Sequence, residues 1–266
     1  MRNWIAGAAL AVTITGCGVS TQQEIEMGQQ DASQINQQLP IVRDAEINRY
    51  INVLGDSIAK LTERADLPWT FYIVDAKEVN AFAVPGGFIY VNRGLIERTE
   101  RMDQLAGVLG HEIGHVVKRH SVQQMEKLQG ANLGLTLACV LTSVCNSQAT
   151  QAGINVAGTA LFAKFSRDDE READAVAVQN TVRAGISPQG IPEMFQILIN
   201  ERQSNPSGVA SWFATHPLEE DRIDDTRRMI AQYDPAILRS LATDSRNYQS
   251  FKARLRSLPP SPTPRR

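Results

Sequence analysis

The sequence predicts an α+β fold, mainly helical, with one small β-sheet. Three observations carry that expectation. Apolar residues recur at helical spacing through Asp44–Arg64 and again through Met102–Val117. Three short β-prone runs lie between them, two of them flanking the turn Pro85-Gly86-Gly87. Helical patterning then dominates to about residue 256. With 42% apolar residues and a net charge of -2, the 266-residue chain can bury one sizeable core. The near-neutral balance argues against nucleic acid as a partner.

The elements follow in order. Met1-Arg2-Asn3 is a short positive region, and Trp4–Ile14 is apolar apart from Thr13. That run is too short for a membrane-spanning helix, which needs about twenty residues, so residues 1–16 read as a secretory signal. The signal closes on Ile14-Thr15-Gly16-Cys17, which resembles a bacterial lipobox and implies acylation of Cys17. An ordinary cleaved signal with an incidental cysteine is the alternative. Two or more acyl chains anchor a soluble domain stably. Gly18 stands where aspartate favours inner-membrane retention in such lipoproteins, which implies the outer membrane and its periplasmic face. Residues 17–43 are polar and Gln-rich (Gln22, Gln23, Gln29, Gln30, Gln34, Gln37, Gln38) and read as a tether or loose helix. A domain over 44–257 follows. Its first helix aligns Ile47, Ile51, Leu54, Ile58 and Leu61, and its strands are Trp69–Val74, Ala81–Val84 and Phe88–Val91. The Pro-rich tail 258–266 suits no helix or sheet interior and reads as disordered.

The chemistry concentrates in His111-Glu112-Ile113-Gly114-His115. Histidines four apart on a helix share a face, so both rings can reach one metal ion. Glu112 is rotated away from that ion yet close enough to take a proton from a water activated there. Leu105, Val108, Leu109, Ile113, Val116 and Val117 make the helix a buried one, where unpaired histidines and a glutamate would be costly. A catalytic zinc needs a third protein ligand. His120, five residues past His115, lies about 140° round a continuous helix and cannot join the same ion. Glu170 can, with Asp174 one turn on to accept a hydrogen bond from a ligand histidine and fix its ring. Glu172 points to the other side of that acidic helix.

These strings, His111-Glu112-x-x-His115 and Ser166-Arg167-x-x-Glu170-x-x-Ala173-Asp174, resemble the HtpX and CAAX-prenyl-protease family of zinc metalloendopeptidases. Within it the chain is most similar to the periplasmic BepA and LoiP type. Val79-Asn80-Ala81-Phe82-Ala83 with Pro85-Gly86-Gly87, Gly94-Leu95-Ile96, and Thr215-His216-Pro217 with Arg222-Ile223 extend the match over about residues 45 to 230. The resemblance implies a gluzincin-type domain with a small sheet beside the active-site helix. It also implies one zinc per subunit and hydrolysis of peptide bonds in misfolded or misassembled envelope proteins, with outer-membrane assembly machinery as a partner. An assembly factor or holdase with latent proteolysis is the competing reading. His216 has two roles open to it: donor to the oxyanion, or fourth zinc ligand that holds the enzyme off. A surface histidine before a proline turn is the plain alternative. The Asn80–Val84 segment, at a sheet edge, could receive an extended substrate by backbone pairing.

No charged residue lies between Lys127 and Lys164, and no run there reaches the length of a membrane span. Residues 129–163 read as buried or lid-like helices beside the cleft, with membrane-surface contact as the alternative. Cys139 and Cys145 are candidates for a disulfide in an oxidising compartment. In a continuous helix they would stand about 9 Å apart along the axis, so a bridge requires a bend.

Overall fold

The computed structural model describes residues 18–130, 164–217 and 220–262. Helix α1 (Thr21–Gln38) begins at a capping box in which the Ser20 side chain and Gln23 satisfy each other's backbone amides. Helix α2 (Ala45–Ala59) is capped by Asp44, which accepts from Glu46 and Ile47. Strands β1 (Thr70–Val74), β2 (Ala81–Val84) and β3 (Phe88–Asn92) form one sheet in the order β1-β3-β2. β1 and β3 run parallel, and β2 and β3 form an antiparallel pair closed by Gly86 and Gly87. Those two glycines have φ of 81° and 102°, a region L-residues rarely occupy. α3 (Arg93–Arg98) leads into α4 (Met102–Val117), which carries the histidine motif.

Alternation along the strands divides the core. Phe71, Ile73, Ala81, Ala83, Ile89 and Val91 join α2, α4 and the later helices in the main cluster. Tyr72, Val74, Phe82, Val84, Phe88 and Tyr90 face the opposite way and pack on Ala32, Ile35 and Leu39 of α1. Tyr90 stacks between Tyr72 and Phe82, each with ring centroids 4.9 Å from its own. Of the two readings of residues 17–43, the tether is corrected over 21–38 and the helix holds, though not a loose one: α1 is an ordered helix covering the second face of the sheet. The physical reason is the sheet, whose strands are apolar on both faces and need cover on both. β2 remains an edge, as anticipated. Ile41 takes the outer side of β1, while no strand or bridge pairs with the outer side of β2 among the described residues.

α5 is His120–Gly130. Past the undescribed stretch, α6 (Arg167–Arg183) starts at a capping box between Ser166 and Asp169. α7 is Gly190–Ser204, a 3-10 turn spans Pro206–Val209, and α8 is Ala210–Thr215. α9 (Glu220–Ile230), α10 (Pro235–Ser240) and α11 (Arg246–Arg256) complete the fold. α4 lies fully buried between the sheet and α6. Gly114 makes the closest α4–α6 approach possible, since a Cβ there would stand 2.7 Å from the Ala173 Cα. The tail also differs from expectation at its start. Arg93 donates to the Pro259 carbonyl at 2.7 Å, and Ser261 Oγ donates to Asp75 at 2.7 Å, so this stretch is docked. Cys17, Cys139, Cys145, the signal 1–16 and residues 131–163 lie outside the described residues. Among the described residues no helix is long and apolar enough to cross a membrane.

Candidate metal centre

Close packing of α4 on α6 brings the sequence's two motifs into one buried cluster. His111 and His115 come from α4, Glu170 and Asp174 from α6, and His216 from the C-terminal end of α8; none is more than 1% exposed. The His111 and His115 Nε2 atoms lie 3.0 Å apart, and Glu170 reaches them at 3.5 and 3.4 Å. His216 Nδ1 is 3.1 Å from Glu170 and 3.4 Å from His111 Nε2. One donor atom from each of His111, His115, Glu170 and His216 falls within 4.8 Å of all the others. Three imidazoles and a carboxylate at that spacing suit a small borderline cation such as zinc.

Each group's surroundings differ. Glu112 is fully buried and neither of its carboxylate oxygens has a hydrogen-bond partner among the described residues; burial raises its pKa. The His216 Nε2 faces it at 3.6 Å. Asp174 meets His111 Nδ1 at 2.8 Å, which holds that ring with Nε2 toward the cluster. Burial opposes a charge on His111, but Asp174 and Glu170 outweigh it and raise the ring to about 9. Burial dominates at His115 and holds it well below the ordinary value. Burial also works against ionised Glu170, yet His216 and Arg222 overcome it and keep the carboxyl well below the usual range.

Arg222 on α9 was part of a recognised segment without an assigned role. It donates from Nε and Nη2 to both Asp174 oxygens at 2.9 and 2.8 Å, and from Nη1 to Glu170. One guanidinium thus ties both acids of α6 together, a fork geometry that only arginine offers. Its planar head also lies 4.5 Å from the centre of the Phe195 ring. Phe165 stacks on His115 at 4.0 Å between centroids and Trp212 on His216 at 4.7 Å, so aromatic faces bound the rings. A lone Arg six residues past a histidine carries no periodic signal, which is why sequence reasoning left its role open.

The match to known proteins agrees with this geometry. Residues 45–230 match peptidase family M48. The chain belongs to peptidase family M48. This is a metal-dependent family of metalloendopeptidases, and the three-histidine, one-glutamate cluster lies inside the matched span. The beta-barrel assembly-enhancing protease of Escherichia coli O157:H7 is 32% identical over 251 residues, covering 91% of this chain and 50% of that protein. Its Yersinia pestis counterpart is 33% identical over 234 residues, covering 84% and 47%. Metalloprotease YcaL of Escherichia coli K12 is 29% identical over 249 residues, covering 85% of this chain and 96% of YcaL. The chain thus spans about half the length of the assembly-enhancing relatives it matches.

Proposed function

We propose that this chain is a zinc endopeptidase of the bacterial periplasm, anchored to the outer membrane through acylated Cys17. In this reading it cuts misfolded or misassembled envelope proteins. The observation that carries the enzymatic part is one buried constellation: four ligand-type atoms within 4.8 Å of one another, with an unpartnered carboxylate, Glu112, beside them. His111, His115 and Glu170 would hold one zinc ion. When bound, zinc supplies Lewis-acid polarisation of a carbonyl and lowers the pKa of water at the site.

The chain's own residues supply the rest. Glu112, without hydrogen bonds of its own, takes the proton of the attacking water and returns it to the leaving amine. Asp174 and Arg222 hold His111 and Glu170 in place so that neither reorganises during the reaction. The open outer side of β2 offers an extended substrate backbone pairing, a mode tolerant of sequence. The names of the assembly-enhancing relatives support clients from envelope-protein assembly, and the lipobox-like Ile14-Thr15-Gly16-Cys17 supports the anchor.

One observation favours latency within this reading. His216 Nδ1 stands among the ligand atoms, and its Nε2 faces Glu112 at 3.6 Å. It thereby lies between the base and the other ligand-type atoms, where it would compete with an attacking water. As a fourth ligand it would hold the enzyme off until substrate displaced it, which also fits the assembly-factor reading with latent proteolysis. Casein cleavage with and without chelator, by wild type, Glu112→Gln and His216→Ala, tests these parts together. Chelator-sensitive cleavage that is lost in Glu112→Gln and raised in His216→Ala is the expected outcome. A fall in His216→Ala would assign it instead to the oxyanion, at about 2–4 kcal/mol of barrier. Palmitate labelling that persists in Cys17→Ser would remove the anchor.

A further inference from the structure

We propose that His120 is the positioning residue of His115, accepting the His115 Nδ1 proton and so fixing that ring's tautomer and direction. The inference rests on His115 being a zinc ligand through Nε2. That nitrogen faces His111 Nε2 at 3.0 Å and Glu170 at 3.4 Å. A neutral imidazole that offers its Nε2 lone pair carries its proton on Nδ1. Nδ1 of His115 lies 3.0 Å from Nδ1 of His120, and His120 is only 2% exposed. Two nitrogens at that distance share a single proton, so His120 Nδ1 is the acceptor and its own proton sits on Nε2. That N–H points toward α6, with Glu172 at 3.4 Å and Asp169 at 3.7 Å. Both ligand histidines are therefore held from behind by one acidic helix: His111 directly through Asp174, and His115 through His120.

The local backbone explains how His120 reaches this place. On a continuous helix it would face away from His115. The α4 helix stops at Lys118, and Arg119 adopts φ of 59°, a left-handed conformation uncommon outside glycine, asparagine and aspartate. That turn swings α5 round and returns His120 against His115. Arg119 is held in it by donating to Glu24 of α1 at 2.9 Å and to the Val19 carbonyl. Glu24 is itself clamped by Arg64 at 2.8 and 2.9 Å.

Amide substitutions at 120 separate this role from simple space-filling. Asparagine places an acceptor oxygen where Nδ1 stood, and glutamine places its amide where Nε2 stood. Zinc affinity, read by competition with a chromogenic chelator on the purified chain, is expected to stay within about threefold for His120→Asn. It is expected to fall about 10–100-fold for His120→Gln and His120→Leu. Circular dichroism and thermal melting of each variant report whether it folds; if His120→Leu does not, the Asn–Gln difference still decides. Equal affinity in all variants, or equal loss in Asn and Gln with the fold retained, overturns the inference. Failure of wild type to bind zinc would instead overturn the reading on which it rests.

Discussion

The buried cluster treats its acids in two opposite ways. Glu170 and Asp174 are both clasped by Arg222, and each also meets a histidine. Glu112, one residue from His111 and equally buried, has no hydrogen bond to either oxygen among the described residues. Groups that must hold still receive partners, and the group that must exchange a proton is left without them. The pKa directions follow the same division: Glu170 lies well below the usual carboxyl range, held there by His216 and Arg222 against burial, while burial pushes Glu112 upward. α1 repeats the contrast away from the chemistry. Glu24 is fully buried between Arg64 and Arg119, whereas Asp31, two turns along the same helix, is buried with no ion pair among the described residues and raised to about 6 by desolvation.

The strongest test of the contrast removes the bare acid. Glu112→Gln should keep bound zinc, by metal analysis, and lose a hundredfold or more in peptide hydrolysis. Wild-type rates would assign the base elsewhere. Removing the clasp comes next. Arg222→Met removes the one guanidinium shared by two buried carboxylates, leaving them only their histidine contacts, and should cost about 3–5 kcal/mol of stability in metal-free protein, measured by denaturant titration. Its zinc affinity should fall as well, since Glu170 and Asp174 lose their shared tether. On α1, Glu24→Gln should cost about 3 kcal/mol by the same measurement, because Arg64 and Arg119 lose the one buried carboxylate that pairs with both. A loss below about 1 kcal/mol would show that this cluster behaves as an exposed ion pair.

The smallest effect has the opposite sign. With Asp31 at about 6 in the fold against an ordinary value of 3.8, the folded chain retains a proton that the unfolded chain has released between those values. Its contribution to stability therefore falls as pH rises from about 4 to about 6 and is level above that. Asp31→Asn should then stabilise the protein by about 1–2 kcal/mol at pH 7 and leave it unchanged near pH 3. Melting curves at the two pH values check this, and equal shifts at both would show that the carboxyl is not desolvated.

His111, Glu112, His115, Glu170 and Asp174 were legible because helical spacing places each on a known face, and two rigid helices need only one close approach to bring them together. The strands and their turn were equally legible, since alternation and Gly86-Gly87 are local signals. Other features depended on packing between elements distant in sequence. α1 looked like a tether because its residues are polar, and only the apolar second face of the sheet explains why it docks. His120 looked misdirected because angular spacing assumes an unbroken helix, and the left-handed Arg119 turn, held by Glu24 from 95 residues away, breaks that assumption. The role of Arg222 depends on two acids 48 and 52 residues upstream, a relation that no periodicity records. Sequence by itself determined which side chains could do the chemistry, because residue type and local period are short-range properties. The tertiary structure decided which of them are clasped, which are bare and which rings are held from behind, because burial and ion pairing are set by whatever the rest of the chain packs against them.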